Sequence, residues 1–292
     1  MTFNDILASA GISPDQVNIM LHSPRAREFA KVLPTLVHTR RAALDQYQST
    51  HSAPAENALK KGRPFVAVFV KIGDKRLVFA GIYANNGWQN QTVSAILSKP
   101  EAQFLSQTYG IYHEEAEGDP ERRYAVFDLV LTQTLKDLVG RLIIGTELTQ
   151  TYVRLAEKFE ANILAIQEQG VAETPPPHWR DITVTAAFLA AIPQGWANML
   201  SQWRGIYLIV DGTDGARYVG SAYGDDTNLL GRWKAHVAGE VGVTAKLKAR
   251  KSHNFRFAIL ERVSPDMPAA EVIAMEHTWM KRLQTVEFGL NS

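Results

Sequence analysis

Cysteine is absent from the 292 residues. That removes disulfides, thiolate metal sites and cysteine nucleophiles together, and it suits a reducing compartment, so a cytoplasmic protein is expected. Long apolar runs are missing too: none approaches the ~18–20 residues that span a bilayer, and no membrane partner is expected. The opening MTFNDILASAGISPDQ carries Asp5 early and lacks a basic stretch ahead of an apolar one, so no secretory leader is expected. Neither internal repeats nor low-complexity tracts occur. Excess charge of one sign is lacking, the net charge being +1. What is present is ordinary for a folded chain, with 46% hydrophobic and 21% charged residues. The length exceeds the ~100–200 residues of one domain, so two are expected.

The boundary falls in EQGVAETPPPHWRD, residues 168–181. Consecutive prolines cannot continue a helix and favour an extended spacer. Residues 1–167 then form a mixed α/β, β-rich N-terminal domain and residues 182–292 a second domain, giving an α+β protein. In the first, residues 3–10 and 24–47 read as helices. PFVAVFVKIGDKRLVFAGIYAN reads as a hairpin whose second strand ends at Gly81-Ile82-Tyr83. RRYAVFDLVLT and GRLIIGT supply further strands, and Gly110-Ile111-Tyr112 reads as another strand or its edge. His22, His38, His51 and His113 are scattered without ligand spacing and read as surface or structural residues.

In the second domain TVTAAFLAAI reads as a helix. GIYLIVD, GTDG and ARYVGSA read as strand, turn and strand. DDTNLLGRWKAHVAG follows as a helix, with Asp226 or Thr227 as N-cap and Gly239 as its stop. FRFAILERV is a third strand and DMPAAEVIAMEHTWMKRL a last helix with Pro268 near its start. The order β-β-α-β-α fits a small α/β sandwich around a three-stranded antiparallel-type sheet.

On the last helix Val272, Met275, Trp279 and Leu283 form an apolar stripe that contains Glu276. A carboxylate there is costly unless it is paired or holds a metal; the plainer alternative is a stripe-edge Glu paired with an Arg. Arg232 and His236 are spaced i, i+4 and share one helix face, where Arg offers a fork for phosphate and His titrates near neutrality. Surface decoration is the plainer alternative. Tyr207 and Tyr218 lie on paired strands and can meet across the hairpin. Between Arg232 and Arg256 the cations Lys234, Lys246, Lys248, Arg250 and Lys251 stand against Glu240 alone, a patch attractive to a polyanion or merely a solvated face.

Each feature is weak singly, but their order is not. Gly205-Ile206-Tyr207, then ten residues, then Tyr218-Val219-Gly220, resembles the hairpin signature of the GIY-YIG nuclease superfamily, with Val219 for the usual Ile. The family's Arg, Glu and Asn fall on Arg232, Glu276 and Asn291, and His236 resembles the pattern of its restriction-type members. The resemblance covers about residues 200–292, beside an extra N-terminal domain.

The resemblance implies the GIY-YIG fold and Mg²⁺- or Mn²⁺-dependent hydrolysis of DNA phosphodiesters in bacterial restriction or phage defence. Glu276 would hold the metal, Arg232 would clamp the phosphate, and Tyr207 would act on the attacking water with His236 taking its proton. Tyr218 would position water or phosphate, the two tyrosine roles being exchangeable, and Asn291 would tie the site together. Lys234, Lys246, Lys248, Arg250 and Lys251 would contact DNA. One such site cuts one strand, so double-strand cleavage needs a homodimer or two successive nicks. Alternatives are a structure-specific repair or mobile-element endonuclease, or a silent DNA-binding module. The first domain would recognise the target, with modified DNA read in a pocket carrying Tyr83 and Trp88.

Overall fold

The computed structural model describes residues 1–112, 117–148, 152–171, 178–224, 227–240 and 244–292. The proline run at 175–177, His113 and Asp226 lie outside these described residues. The chain divides into two compact units, Met1–Glu173 and Thr174–Ser292. Among the described residues no helix is long and apolar enough to cross a membrane.

The first unit is built on a sheet of seven strands. They are β1 (Val17–His22), β2 (Phe65–Gly73), β3 (Arg76–Thr92), β4 (Arg123–Leu131), β5 (Leu142–Gly145), β6 (Val153–Leu155) and β7 (Asn162–Ile166). The order is β6-β1-β2-β3-β5-β7, with β4 paired to the far half of β3. Among the described strands only β1 and β2 run parallel. Around it stand α1 (Phe3–Ser9), α2 (Arg27–Thr39), α3 (Arg41–Tyr47), α4 (Ala53–Leu59), α5 (Val93–Leu97) and α6 (Pro100–Tyr109). Phe3 seats α1 on the sheet, its ring centroid 4.8 Å from Phe69 and 5.6 Å from Phe79.

Several expectations for this unit are corrected. The helix read over 24–47 is two, because Arg40 leaves helical geometry (φ −149, ψ 66) while its guanidinium binds Glu101 at 2.8 Å. Gly81-Ile82-Tyr83 does not end its strand: β3 continues through the polar NNGWQNQT, which pairs with β4 instead of packing on a core. Polar strand halves carry no apolar alternation to read. Gly110-Ile111-Tyr112 is no strand but the end of α6, where Gly110 is left-handed (φ 70) and Ile111 N–H donates to the Leu105 carbonyl at 3.2 Å. Glycine without a Cβ makes that helix stop cheap.

The second unit holds the sheet β10-β9-β11-β8, antiparallel throughout, formed by β8 (Thr183–Thr185), β9 (Arg204–Asp211), β10 (Arg217–Ala222) and β11 (Phe255–Val263). The three expected strands are joined by short β8, from the segment read as all helix. Thr185 then caps α7 (Ala186–Leu189), accepting from Phe188 N–H. The remaining helices are α8 (Gln194–Ser201), α9 (Leu229–Ala238), α10 (Ala245–Lys248) and α11 (Ala269–Leu283). Strand alternation gives the sheet two apolar faces. Tyr207, Ile209 and Tyr218 pack with Leu229 and Trp233 of α9. Ile206 and Val219 pack with Val272, Met275 and Trp279 of α11. The sheet thus lies between these two helices, with β10 at its edge.

Candidate active site

The hairpin register sets Tyr207 opposite Gly220 and Tyr218 opposite Ile209, so both tyrosines occupy the α9 face on a diagonal. Gly220 is required by that arrangement. A Cβ there would lie 2.6 Å from Tyr207 Cζ and 2.8 Å from Tyr218 Cε1, closer than real Cβ contacts come. The glycine of the second motif therefore makes room for the tyrosine of the first.

Asn228, not Asp226 or Thr227, caps α9, its side chain accepting from Gly231 N–H at 2.8 Å. Leu229 and Trp233 are buried, which turns Arg232 and His236, on the adjoining stripe, towards the hairpin. The Tyr207 hydroxyl and His236 Nε2 are 2.7 Å apart. The His236 ring centroid lies 5.6 Å from that of Tyr207 and 5.3 Å from that of Tyr218, so the imidazole stands between both phenols. The Arg232 guanidinium acts electrostatically on the Tyr207 hydroxyl, its charge opposing the rise of the phenol's pKa.

Burial dominates the ionisation of this group. It pushes the Tyr207 phenol well above its ordinary range, Tyr218 and Glu276 adding to the shift and Arg232 opposing it. Tyr218 is raised by burial and by the Glu276 charge. His236 is lowered to about 4, by burial first and the neighbouring Arg232 charge second. At pH 7 the resting trio is thus two neutral phenols and a neutral imidazole beside a fixed cation.

Glu276 approaches from the other face. Ser221 alternates with Gly220 and points towards α11, where its hydroxyl donates to Glu276 Oε2. Sequence reasoning missed Ser221; the period-2 pattern of the strand, which puts it on the side opposite Tyr218, was the available signal. The Glu276 carboxylate is half-buried, and its partner is this serine rather than an Arg. No cluster of three or more His, Cys, Asp or Glu exists among the described residues. A single oriented, partly exposed carboxylate fits Mg²⁺, which takes few protein ligands and keeps its waters.

Asn291 is 2% exposed and spends its amide on the backbone of the edge strand. Val219 N–H donates to its Oδ1 at 2.9 Å and its Nδ2 donates to the Val219 carbonyl at 2.8 Å. Bonded to the residue between Tyr218 and Gly220, it ties the chain end to the hairpin edge. The basic residues are dispersed in role. Lys234, Lys248 and Lys251 are exposed. Lys246 donates to the Val286 and Asn291 carbonyls at 3.3 and 3.0 Å. Arg250 turns inward to Asp214 at 2.6 Å and buried Asp211 at 3.4 Å, bracing the hairpin turn.

In the first unit, Tyr83 does not line a recognition pocket: it is fully buried and donates to Asp45 at 2.7 Å. Trp88 is exposed, with the Lys60 ammonium 4.3 Å from its ring centroid.

No protein-family model and no curated protein matches the chain. Among solved structures, it is similar to a mutant form of the catalytic domain of intron endonuclease I-TevI, with 27% identity, 30% of this chain and 92% of that chain covered, and a TM-score of 0.26. For the catalytic domain of homing endonuclease I-TevI the identity is 26%, the coverage 30% and 96%, and the TM-score 0.25.

Proposed function

We propose that the second unit is a DNA endonuclease of the GIY-YIG type, dependent on Mg²⁺ or Mn²⁺ and serving restriction or phage defence. The observation that carries the reading is the Tyr207–His236 hydrogen bond, set beside Arg232 and Tyr218 and within the electrostatic reach of Glu276. Phosphodiester hydrolysis needs water deprotonated, charge on the phosphate neutralised and the leaving oxygen helped. Tyr207 would take a proton from the attacking water as its own phenolic proton passes to His236 Nε2. In the neutral imidazole, Nε2 would accept that proton in the tautomer that carries its hydrogen on Nδ1. Arg232, permanently charged, would bind the non-bridging phosphate oxygens through its planar fork. Tyr218 would orient the water or the phosphate. Glu276, steered by Ser221, would hold the cation, whose positive charge when bound favours the charged transition state and departure of the 3′ oxygen. Exposed Lys234, Lys248 and Lys251 would attract the DNA backbone. Double-strand cleavage would need two copies of the chain or two successive nicks.

Plasmid incubated with wild type or Glu276→Ala, in Mg²⁺ or in EDTA, tests this. Nicked or linear product is expected only from wild type with metal. Equal activity of Glu276→Ala would overturn the assignment of the site. Binding without product under every condition would make the unit a silent DNA-binding module.

A further inference from the structure

The first unit contains a cavity of about 730 Å³ where the end of β1, the end of α3 and the segment Thr50–Ser52 converge. That volume suits a small organic ligand. Its described lining holds no Asp, Glu or Lys, but it does hold Arg25 and Arg122, both exposed. Aromatic rings supply much of the remaining wall, with Tyr47, Tyr112, Tyr124 and Tyr152 all contributing. The Arg122 guanidinium sits over the Tyr124 ring, 5.1 Å from its centroid.

Two histidines that look unrelated in sequence meet at this cavity. His22 is 4% and His51 8% exposed; both line the cavity, and both Nε2 atoms are buried without a hydrogen-bond partner among the described residues. Unpaired buried polar atoms are uncommon and costly, so two on one cavity wall ask for a ligand that pairs them. Burial holds both rings neutral, so each Nε2 can donate or accept according to tautomer. Three of the surrounding hydroxyls, those of Thr50, Tyr112 and Tyr152, are already tied down. The Tyr152 hydroxyl lies 3.2 Å from His51 Nδ1, and the Tyr112 hydroxyl lies 3.1 Å from Thr50 Oγ1. The wall is therefore set before any ligand arrives.

We propose that this cavity binds a nucleotide, its base against the tyrosines and the two imidazoles and its phosphate at Arg25 and Arg122. A simple anion would leave the aromatic wall and both Nε2 atoms unused. A neutral aromatic ligand would leave two guanidiniums without a counter-charge. A base bearing a phosphate uses all three features: rings stack on rings, imidazole nitrogens meet the base edge, and guanidinium forks take phosphate oxygens. The same chemistry can come from a free nucleotide or from a nucleotide turned out of a DNA strand. The proposal rests on no residue of the second unit.

Calorimetric titration of the full chain carrying Glu276→Ala, which leaves DNA probes uncut, tests it. The probes are the four deoxynucleoside 5′-monophosphates, the matching nucleosides, inorganic phosphate, and a short duplex with one mismatched pair. Saturable binding of at least one monophosphate is expected, roughly tenfold or more tighter than its nucleoside or inorganic phosphate. Arg25→Ala with Arg122→Ala should abolish that preference while nucleoside binding stays. His51→Phe, checked for an unchanged melting profile, should weaken nucleoside and nucleotide alike. Displacement of the monophosphate by the duplex identifies a turned-out DNA nucleotide as the ligand; its failure to compete identifies a free one. The proposal is overturned if no monophosphate binds, if inorganic phosphate binds equally well, or if the double Arg variant changes nothing. Cleavage by wild type is read separately, so failure of either idea leaves the other standing.

Discussion

Tyr83 in the first unit and Tyr207 in the second end the same triplet, Gly-Ile-Tyr, on interior strands of their sheets. Both are fully buried, and both phenols are pushed above their ordinary range by that burial. Both hydroxyls sit 2.7 Å from a side chain on a helix that also carries an arginine four residues earlier: Arg41 and Asp45 for one, Arg232 and His236 for the other. The difference is in what accepts. Asp45 is a carboxylate, and a phenol donating to it is the less able to lose its proton because a second negative charge would form beside the first. His236 is a neutral imidazole that becomes a cation on accepting, which stabilises a phenolate. Arg41 donates to the Ala80 carbonyl and pairs with Asp45 at 3.8 Å, whereas the Arg232 charge has no carboxylate within ion-pair distance among the described residues. The same letters and the same burial therefore give a structural bond in one unit and, on the proposed reading, a proton path in the other.

Removing each hydroxyl is the strongest way to break that comparison. Tyr207→Phe should lower cleavage by roughly 10²–10⁴-fold, the usual contribution of positioned acid–base groups. Tyr83→Phe should leave cleavage within about twofold and reduce stability by about 1 kcal/mol, one buried hydrogen bond. Paired cleavage rates and urea denaturation curves decide it, and equal losses of rate would erase the distinction. A smaller effect sharpens the electrostatic side. Ser221→Ala frees the Glu276 carboxylate without touching either phenol, so the Mg²⁺ concentration for half-maximal cleavage should rise about 10–100-fold, as for other residues that orient metal ligands. An unchanged Mg²⁺ titration would remove Ser221 from the site.

The hairpin, α9, β11 and α11 were legible because each carries its own period and punctuation, and the order of Tyr207, Tyr218, Arg232 and Glu276 needed no coordinates to be noticed. Less legible was everything that depends on partners distant in sequence. Ser221 means nothing until α11 is laid beside β10. Asn291 was expected to tie the site together by hydrogen bonds, but that its partner is the Val219 backbone is revealed only by the packing of the chain end against an edge strand. Arg250 read as a DNA contact and is turned to Asp211 and Asp214. In the first unit β3 runs on through a polar segment, and the cavity forms from His22 and His51, whose pairing no local spacing announces. Periodicity reports which face of an element is buried; it is silent on what that face meets.

The smallest effect compares the two units through buried imidazole. His236 is held near a pKa of about 4, His51 near about 4 and His22 near about 3, burial being the first cause in all three. Unfolded histidine has a pKa near 6.5, so between pH 7 and the folded values the unfolded chain binds more protons. Stability conferred by a neutral buried ring is thus complete above about pH 6.5 and is lost as pH falls towards 4. From pH 7 to pH 6 each ring should cost about 0.7 kcal/mol, because the unfolded side chain protonates in that interval and the buried one does not. With two such rings in the first unit and one in the second, the first should lose about twice as much. Urea denaturation at pH 7 and pH 6, with resonances assigned to each unit followed separately, measures this. His236→Gln should flatten the dependence of the second unit alone and His51→Gln should halve that of the first; equal acid sensitivity of both units would show that other groups govern it.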